Sequence, residues 1–150
     1  DNNLLMAQAH VAHDCQIGND VIMANAATLA GHVEIADRAN IGAYSGVHQF
    51  CRIGLEAFVG GYSVVVKDAP PFAIIQGNHA KCFGLNRVGM KRRGYPKDTI
   101  EKLHHAFNLL LSAKLNTTQD VERIKKEISG CAEVDLLIDF IESSKRGVVK

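Results

Sequence analysis

The chain has 150 residues, of which 47% are hydrophobic and 22% charged, with a formal net charge of +1. That length suits one domain, or one domain plus a small extension, and the charge balance carries no nucleic-acid footprint. No apolar run approaches the roughly 20 residues of a membrane span, and the lack of Trp argues against a carbohydrate module built on aromatic stacking.

A repeat is present from the first residues. Every sixth position from Leu5 through Val11, Ile17 and Met23 to Val65 is aliphatic, eleven in all. The next residue is usually Gly or Ala, as in Ala12, Gly18, Ala30, Gly42 and Gly54, and the residue two before is small or Val. A period of six matches neither the 3.6 of a helix nor the 2 of a strand. It fits a parallel β-helix with three short faces per coil. One aliphatic residue per face fills the interior, and the small neighbour lets the backbone turn. Each coil then takes about 18 residues, and coils stack at about the 4.8 Å strand spacing. The usual crossover rule favours right-handed connections, so the period alone does not fix the hand. Asp1 stands where an initiator Met is absent and no signal peptide is visible. The expectation is that the N-terminal part of a longer protein precedes this chain.

Asp68-Ala69-Pro70-Pro71 breaks the hexads, giving a partial β-helix over 1–71. Residues 72–96 read as a loop-rich connecting segment, with Lys91-Arg92-Arg93 as a basic turn. Residues 97–150 read as an α-helical domain. Asp98-Thr99-Ile100-Glu101 reads as a capping box, with Ile100, Leu103, Phe107, Leu110 and Leu111 on one face. A second helix starts near Thr117, and a third carries Val134, Leu137, Ile138 and Ile141. Such helices would cover the exposed strand edge of a β-helix. The four cysteines form no CxxC pair and read as reduced core residues.

An 18-residue coil converts sequence into geometry. His13, Gly31 and Gln49 form one column and Asp14, His32 and Phe50 another, with His48 beside them and His10 half a hexad earlier. A lone histidine on a repeat surface is usually mute. Convergence on one corner beside a carboxylate suits a general base. His10-x-x-His13 raises zinc and a γ-type carbonic anhydrase, but the two histidines five apart of that pattern are missing. The basic run reads equally as a solvated turn or as a diphosphate clamp. No phosphate-loop or dinucleotide fingerprint occurs.

Five strings make the reading specific: His10-Val11-Ala12-His13-Asp14-Cys15, Leu29-Ala30-Gly31-His32, Val47-His48-Gln49-Phe50-Cys51, Gln76-Gly77-Asn78-His79 and Lys91-Arg92-Arg93-Gly94. In order and spacing they resemble the bacterial UDP-N-acetylglucosamine O-acyltransferases, over the whole chain. The resemblance implies a left-handed parallel β-helix with a C-terminal helical domain, in a cytoplasmic homotrimer without cofactor or metal. It implies transfer of a 3-hydroxyacyl group from acyl carrier protein to UDP-N-acetylglucosamine, the first step of lipid A synthesis. His13 then matches the general base, Asp14 its acidic partner, and Gly31 the oxyanion donor. His10, His32, His48, Gln49 and His79 match substrate-site positions, Gly61 the position limiting acyl length, and Asn86, Arg92 and Arg93 the nucleotide end. Val88 departs from an acidic residue that the family can carry there. The sibling N-acyltransferase of the same pathway, a non-catalytic β-helix and a zinc γ-type carbonic anhydrase are the competing readings.

Overall fold

The computed structural model describes residues 1–112 and 116–150. Each hexad contributes a two-residue strand: β1 (Leu4–Leu5), β2 (His10–Val11), β3 (Gln16–Ile17), β4 (Ile22–Met23), β5 (Thr28–Leu29), β6 (Glu34–Ile35), β7 (Asn40–Ile41), β8 (Gly46–Val47), β9 (Arg52–Ile53), β10 (Phe58–Val59) and β11 (Val64–Val65). Strands three apart in sequence pair in parallel with an 18-residue offset, as in Met23 opposite Ile41 and Ile41 opposite Val59. The result is a three-sided parallel solenoid. Its first face is β1-β4-β7-β10, its second β2-β5-β8-β11 and its third β3-β6-β9.

The aliphatic ladder is the core. Eight of its eleven members, from Met23 to Val65, are buried. Leu5 and Val11 are exposed in the first coil, which has no coil beneath it in this chain. Cys51 packs inside the prism, and burial pushes its thiol up to about 11. All four cysteines are unpaired.

Three sequence expectations need correction. First, the glycine after the ladder residue is not what lets the chain turn. The left-handed residue lies two positions further on and is never glycine: φ is +55° to +63° at every sixth residue from Asn2 to Tyr62. Gly42 and Gly54 serve close approach instead, since a Cβ there would stand 2.4 Å from the backbone of the next coil.

Second, the segment after Pro71 is not loop-rich. β12 (Ala73–Gly77) continues the first face beside β10, and β13 (Ala80–Leu85) returns antiparallel to it. The proline pair stops the hexads, but β10 still presents an unpaired edge, and β12 satisfies it. Lys91 and Arg92 then lie in a short helix, α1 (Arg87–Arg92), rather than in a turn.

Third, α2 (Lys97–Leu110) starts two residues earlier than the Asp98 box implies, with Pro96 at its N-cap and no side-chain cap. Asp98 therefore falls in the first turn, where it pairs with Lys102 at 3.1 Å. The capping box belongs to α3 (Thr117–Glu127), between Asn116 and Gln119. α4 (Ala132–Glu142) buries Val134, Leu137, Ile138 and Ile141 as expected.

The helices lie over the late coils. α2 packs on β13, and the Arg52 guanidinium sits 4.4 Å above the Phe140 ring of α4. The last residues bridge Asp68 through Val148. No described helix is long and apolar enough to cross a membrane.

The ladder makes a direct prediction. Leu29→Ala should cost about 2–5 kcal/mol of stability, whereas Thr28→Ala, outside on the same strand, should stay within about 0.5 kcal/mol. Denaturant titration compares them, and equal losses would contradict the inside–outside assignment.

Candidate active site

The corner between the second and third faces carries the histidine cluster. Asp14, His32 and Phe50 occupy successive left-handed positions there, at φ +59°, +59° and +63°. That conformation turns the chain from one face to the next and swings adjacent side chains together, which an extended strand would not do. His13 Nδ1 therefore meets Asp14 Oδ2 at 2.8 Å. His32 Nε2 stands 3.7 Å from the same oxygen. Its ring meets His13 edge-on at 5.0 Å and stacks on Phe50 at 4.8 Å.

These contacts have chemical consequences. The His13 hydrogen bond, and next the nearby His32, hold the Asp14 carboxyl below its ordinary range. With Nδ1–H donated to Asp14, His13 presents Nε2 as a lone-pair acceptor, the tautomer a general base needs. Nε2 and Cε1 lie 2.7 Å from where a Gly31 Cβ would stand, so only glycine lets the ring rest across that backbone. The Gly31 N–H has no acceptor among the described residues.

His13, Asp14 and His32 also place three ligand atoms within 4.8 Å of one another. Their donor types suit a divalent ion, but all three are exposed and Nδ1 is already engaged with Asp14.

Other expected residues spread along the prism. His10 projects from β2 next to this corner. Gln49 is exposed, one coil beyond Gly31. His48 meets a residue that sequence reasoning missed: Arg146 Nη2 lies 3.2 Å from its Nδ1 and donates to the Val66 carbonyl at 3.3 Å. His79 follows Asn78, which bridges β11 and so lies four strand spacings from His10, or about 19 Å along the axis. Gly61 lies at a different corner, between the first and second faces, beside the stacked Tyr44–Tyr62 pair. A Cβ on Gly61 would stand 3.2 Å from the Ala43 carbonyl oxygen.

A second cluster lies on the first face. Asn86 caps α1 by accepting from the Gly89 N–H at 3.0 Å. With Arg92 and Arg93 it lines a cleft of about 480 Å³ floored by Asn40, Phe58 and Ile74. Val88 stands exposed at the same cleft, offering no polar group. Arg38 and the buried Glu56 complete the wall. Glu56 Oε1 accepts from Arg38 Nε at 2.7 Å and from the Tyr95 hydroxyl at 2.9 Å. Burial and Glu56 raise the Tyr95 phenol above its ordinary value, keeping it a donor. Sequence reasoning missed this network, although Arg38 and Glu56 stand 18 residues apart. The histidine corner and this cleft thus face different sides of one chain.

Comparison with known proteins gives a consistent answer. A family model described as UDP N-acetylglucosamine O-acyltransferase, domain 2, matches residues 68–149. The acyl-[acyl-carrier-protein]–UDP-N-acetylglucosamine O-acyltransferases of Aliivibrio salmonicida and Burkholderia mallei are 45% and 43% identical over all of this chain. The chain spans 57% and 59% of their lengths. The crystal structure of the Moraxella catarrhalis UDP-N-acetylglucosamine O-acyltransferase is 43% identical, with a TM-score of 0.95 over 100% of this chain and 58% of its own. The Arabidopsis UDP-N-acetylglucosamine acyltransferase also superposes with a TM-score of 0.95 at 34% identity, over 100% of this chain and 56% of its own.

Gly31→Ala should swing the His13 ring off its perch and break the bond to Asp14. A crystal structure of the variant checks this. A His13–Asp14 distance still near 2.8 Å would show that the glycine does not set the ring.

Proposed function

Because the chain belongs to the UDP-N-acetylglucosamine O-acyltransferase family, we propose that it forms the C-terminal part of an enzyme that moves a 3-hydroxyacyl group from acyl carrier protein to the 3-hydroxyl of UDP-N-acetylglucosamine, beginning lipid A synthesis. The observation that carries this reading is the His13–Asp14 pair at 2.8 Å, laid across Gly31.

In the proposed mechanism His13 Nε2 takes the proton from the sugar 3-hydroxyl as that oxygen attacks the thioester carbonyl. Asp14 orients the ring and stabilises the imidazolium that forms. The Gly31 N–H donates to the tetrahedral oxyanion. Collapse breaks the C–S bond, and the His13 proton passes to the departing thiolate. Transfer is direct: Cys15, the nearest thiol in sequence, donates to the Ala30 carbonyl and not to His13. His10, His32, His48, Gln49 and His79 are proposed to line the donor and sugar positions along the same edge. Asn86, Arg92 and Arg93 are proposed to hold the nucleotide, with Val88 unable to add a polar contact.

A complete site then needs more than this chain. The two clusters face different sides, and the curated relatives are longer. We propose a homotrimer in which the histidine corner of one subunit meets the nucleotide cleft of its neighbour. Both carrier-bound donor and nucleotide sugar place the reaction in the cytoplasm. The shared motifs and the matched family model favour this reaction over N-acyl transfer, and a bare spacer would not need the His13–Asp14–His32 corner.

His13→Ala in the full-length protein should lose about 10² to 10⁴ in turnover while remaining assembled. Near-normal turnover would remove His13 from the chemistry. Gly61 is proposed to leave room for the acyl tail, so Gly61→Met should shift kcat/KM towards shorter donors by removing space for terminal methylenes, each worth about 0.8 kcal/mol when buried. An unchanged preference across a donor series, with the variant assembled, would make Gly61 a turn residue only.

A further inference from the structure

The Arg92-Arg93 run leaves unexplained why a carboxylate is buried behind it. The Glu56 side chain is only 4% exposed. Its Oε1 takes the Arg38 Nε and the Tyr95 hydroxyl, while Oε2 stands 3.6 Å from Arg93 Nε and has no hydrogen-bond partner among the described residues. Each oxygen of one carboxylate thus faces the Nε of a different arginine. The terminal nitrogens of both guanidiniums are left over. Those of Arg38 have no partner among the described residues, and Arg93 Nη2 makes only a long 3.5 Å contact to the Arg38 carbonyl.

The charges around the cleft do not cancel. Arg38, Arg92 and Arg93 line it, and Glu56 is the only acid among its lining residues. Three positive groups against one negative leave a surplus of two, which a diphosphate would balance. Arg92 makes no ion pair among the described residues, so its charge is wholly available. A buried carboxylate hydrogen-bonded to Arg38 Nε fixes the plane of that fork and holds the Arg93 guanidinium beside it by charge, and a fixed fork loses less freedom on meeting a phosphate. A surface ion pair made for stability alone would need neither the buried carboxylate nor the second arginine.

We propose that Glu56 anchors a paired-arginine anion site in which Arg38 joins Arg93 in holding the diphosphate of the nucleotide sugar. Arg38 is a binding residue of this site. Glu56 and Tyr95 are positioning residues, acting through the arginines. The inference rests on the nucleotide reading of the cleft given above, and extends it to residues outside the basic run.

The test uses the full-length enzyme and titrates UDP-N-acetylglucosamine, UDP and uridine. Arg38→Ala should weaken both diphosphates by about 10-fold or more, with uridine affinity unchanged. Arg38→Lys should recover only part of the loss, because a compact ammonium lacks the planar fork that offers Nε to Glu56 and its terminal nitrogens to a phosphate. Glu56→Gln should raise the KM for the nucleotide sugar by a similar factor, with kcat within about twofold and the KM of the acyl donor unchanged. If Glu56→Gln does not fold, Arg38→Ala decides alone, since its side chain is about a third exposed. Wild-type diphosphate affinity in Arg38→Ala, with affinity lost in Arg92→Ala, would overturn the inference and leave the nucleotide reading standing. Wild-type affinity in both would overturn the reading as well.

Discussion

The left-handed residue at each corner is the constraint on which the rest of this molecule depends. Eleven hexads place a non-glycine residue there, at φ near +60°. Each costs roughly 1–2 kcal/mol relative to an ordinary backbone. Glycine would relieve the strain, yet glycine occupies none of these positions. The buried ladder from Met23 to Val65 offsets the cost by removing one large aliphatic side chain per hexad from water. What the fold keeps is a side chain that points outward and stands above another one coil away. The stacked or paired groups of the surface arise in this way: Asp14 with His32, His32 with Phe50, Arg38 with Glu56, and Tyr44 with Tyr62.

The same geometry decides which residues cooperate. A corner column brings groups 18 residues apart into contact, but it keeps different corners on different sides of the prism. His13, Asp14 and His32 share one edge, and Arg38 and Glu56 share another. Arg93 reaches the second edge because β12 and β13 carry the chain back along the first face before α1 begins. The functional reading therefore separates base chemistry from nucleotide recognition within one chain. It rejoins them only when a neighbouring copy supplies the missing side.

Much of this was legible in the sequence, for a physical reason. A solenoid has one dimension, so a period of six fixes the coil and a multiple of 18 fixes the neighbours. The column of His13, Gly31 and Gln49 could be read before any coordinates, as could the inward Cys51. The contact between His13 and Asp14 could not, because it needs the positive φ of Asp14. Arg38 and Glu56 obey the same 18-residue rule, but opposite charges one coil apart are ordinary on a solvated surface and do not by themselves mark a site. Arg146 carried no signal, since its approach to His48 depends on where a C-terminal segment packs. The hairpin of β12 and β13 was hidden by its glycines and by the two prolines before it. There an open strand edge outweighed local turn propensity. The Asp98 box had the right residue types in the wrong register, two residues too late for the Pro96 start.

The central claim is that the site joins the histidine corner of one subunit to the arginine cleft of the next. Mixed oligomers test it most directly. Full-length His13→Ala and Arg92→Ala proteins, each impaired alone at low nucleotide-sugar concentration, are unfolded, combined and reassembled. If the site is shared, random association regenerates roughly a quarter of intact sites, and activity rises well above either parent. If both halves belong to one subunit, no pairing restores an intact site, and the mixture stays at the mean of the two parents.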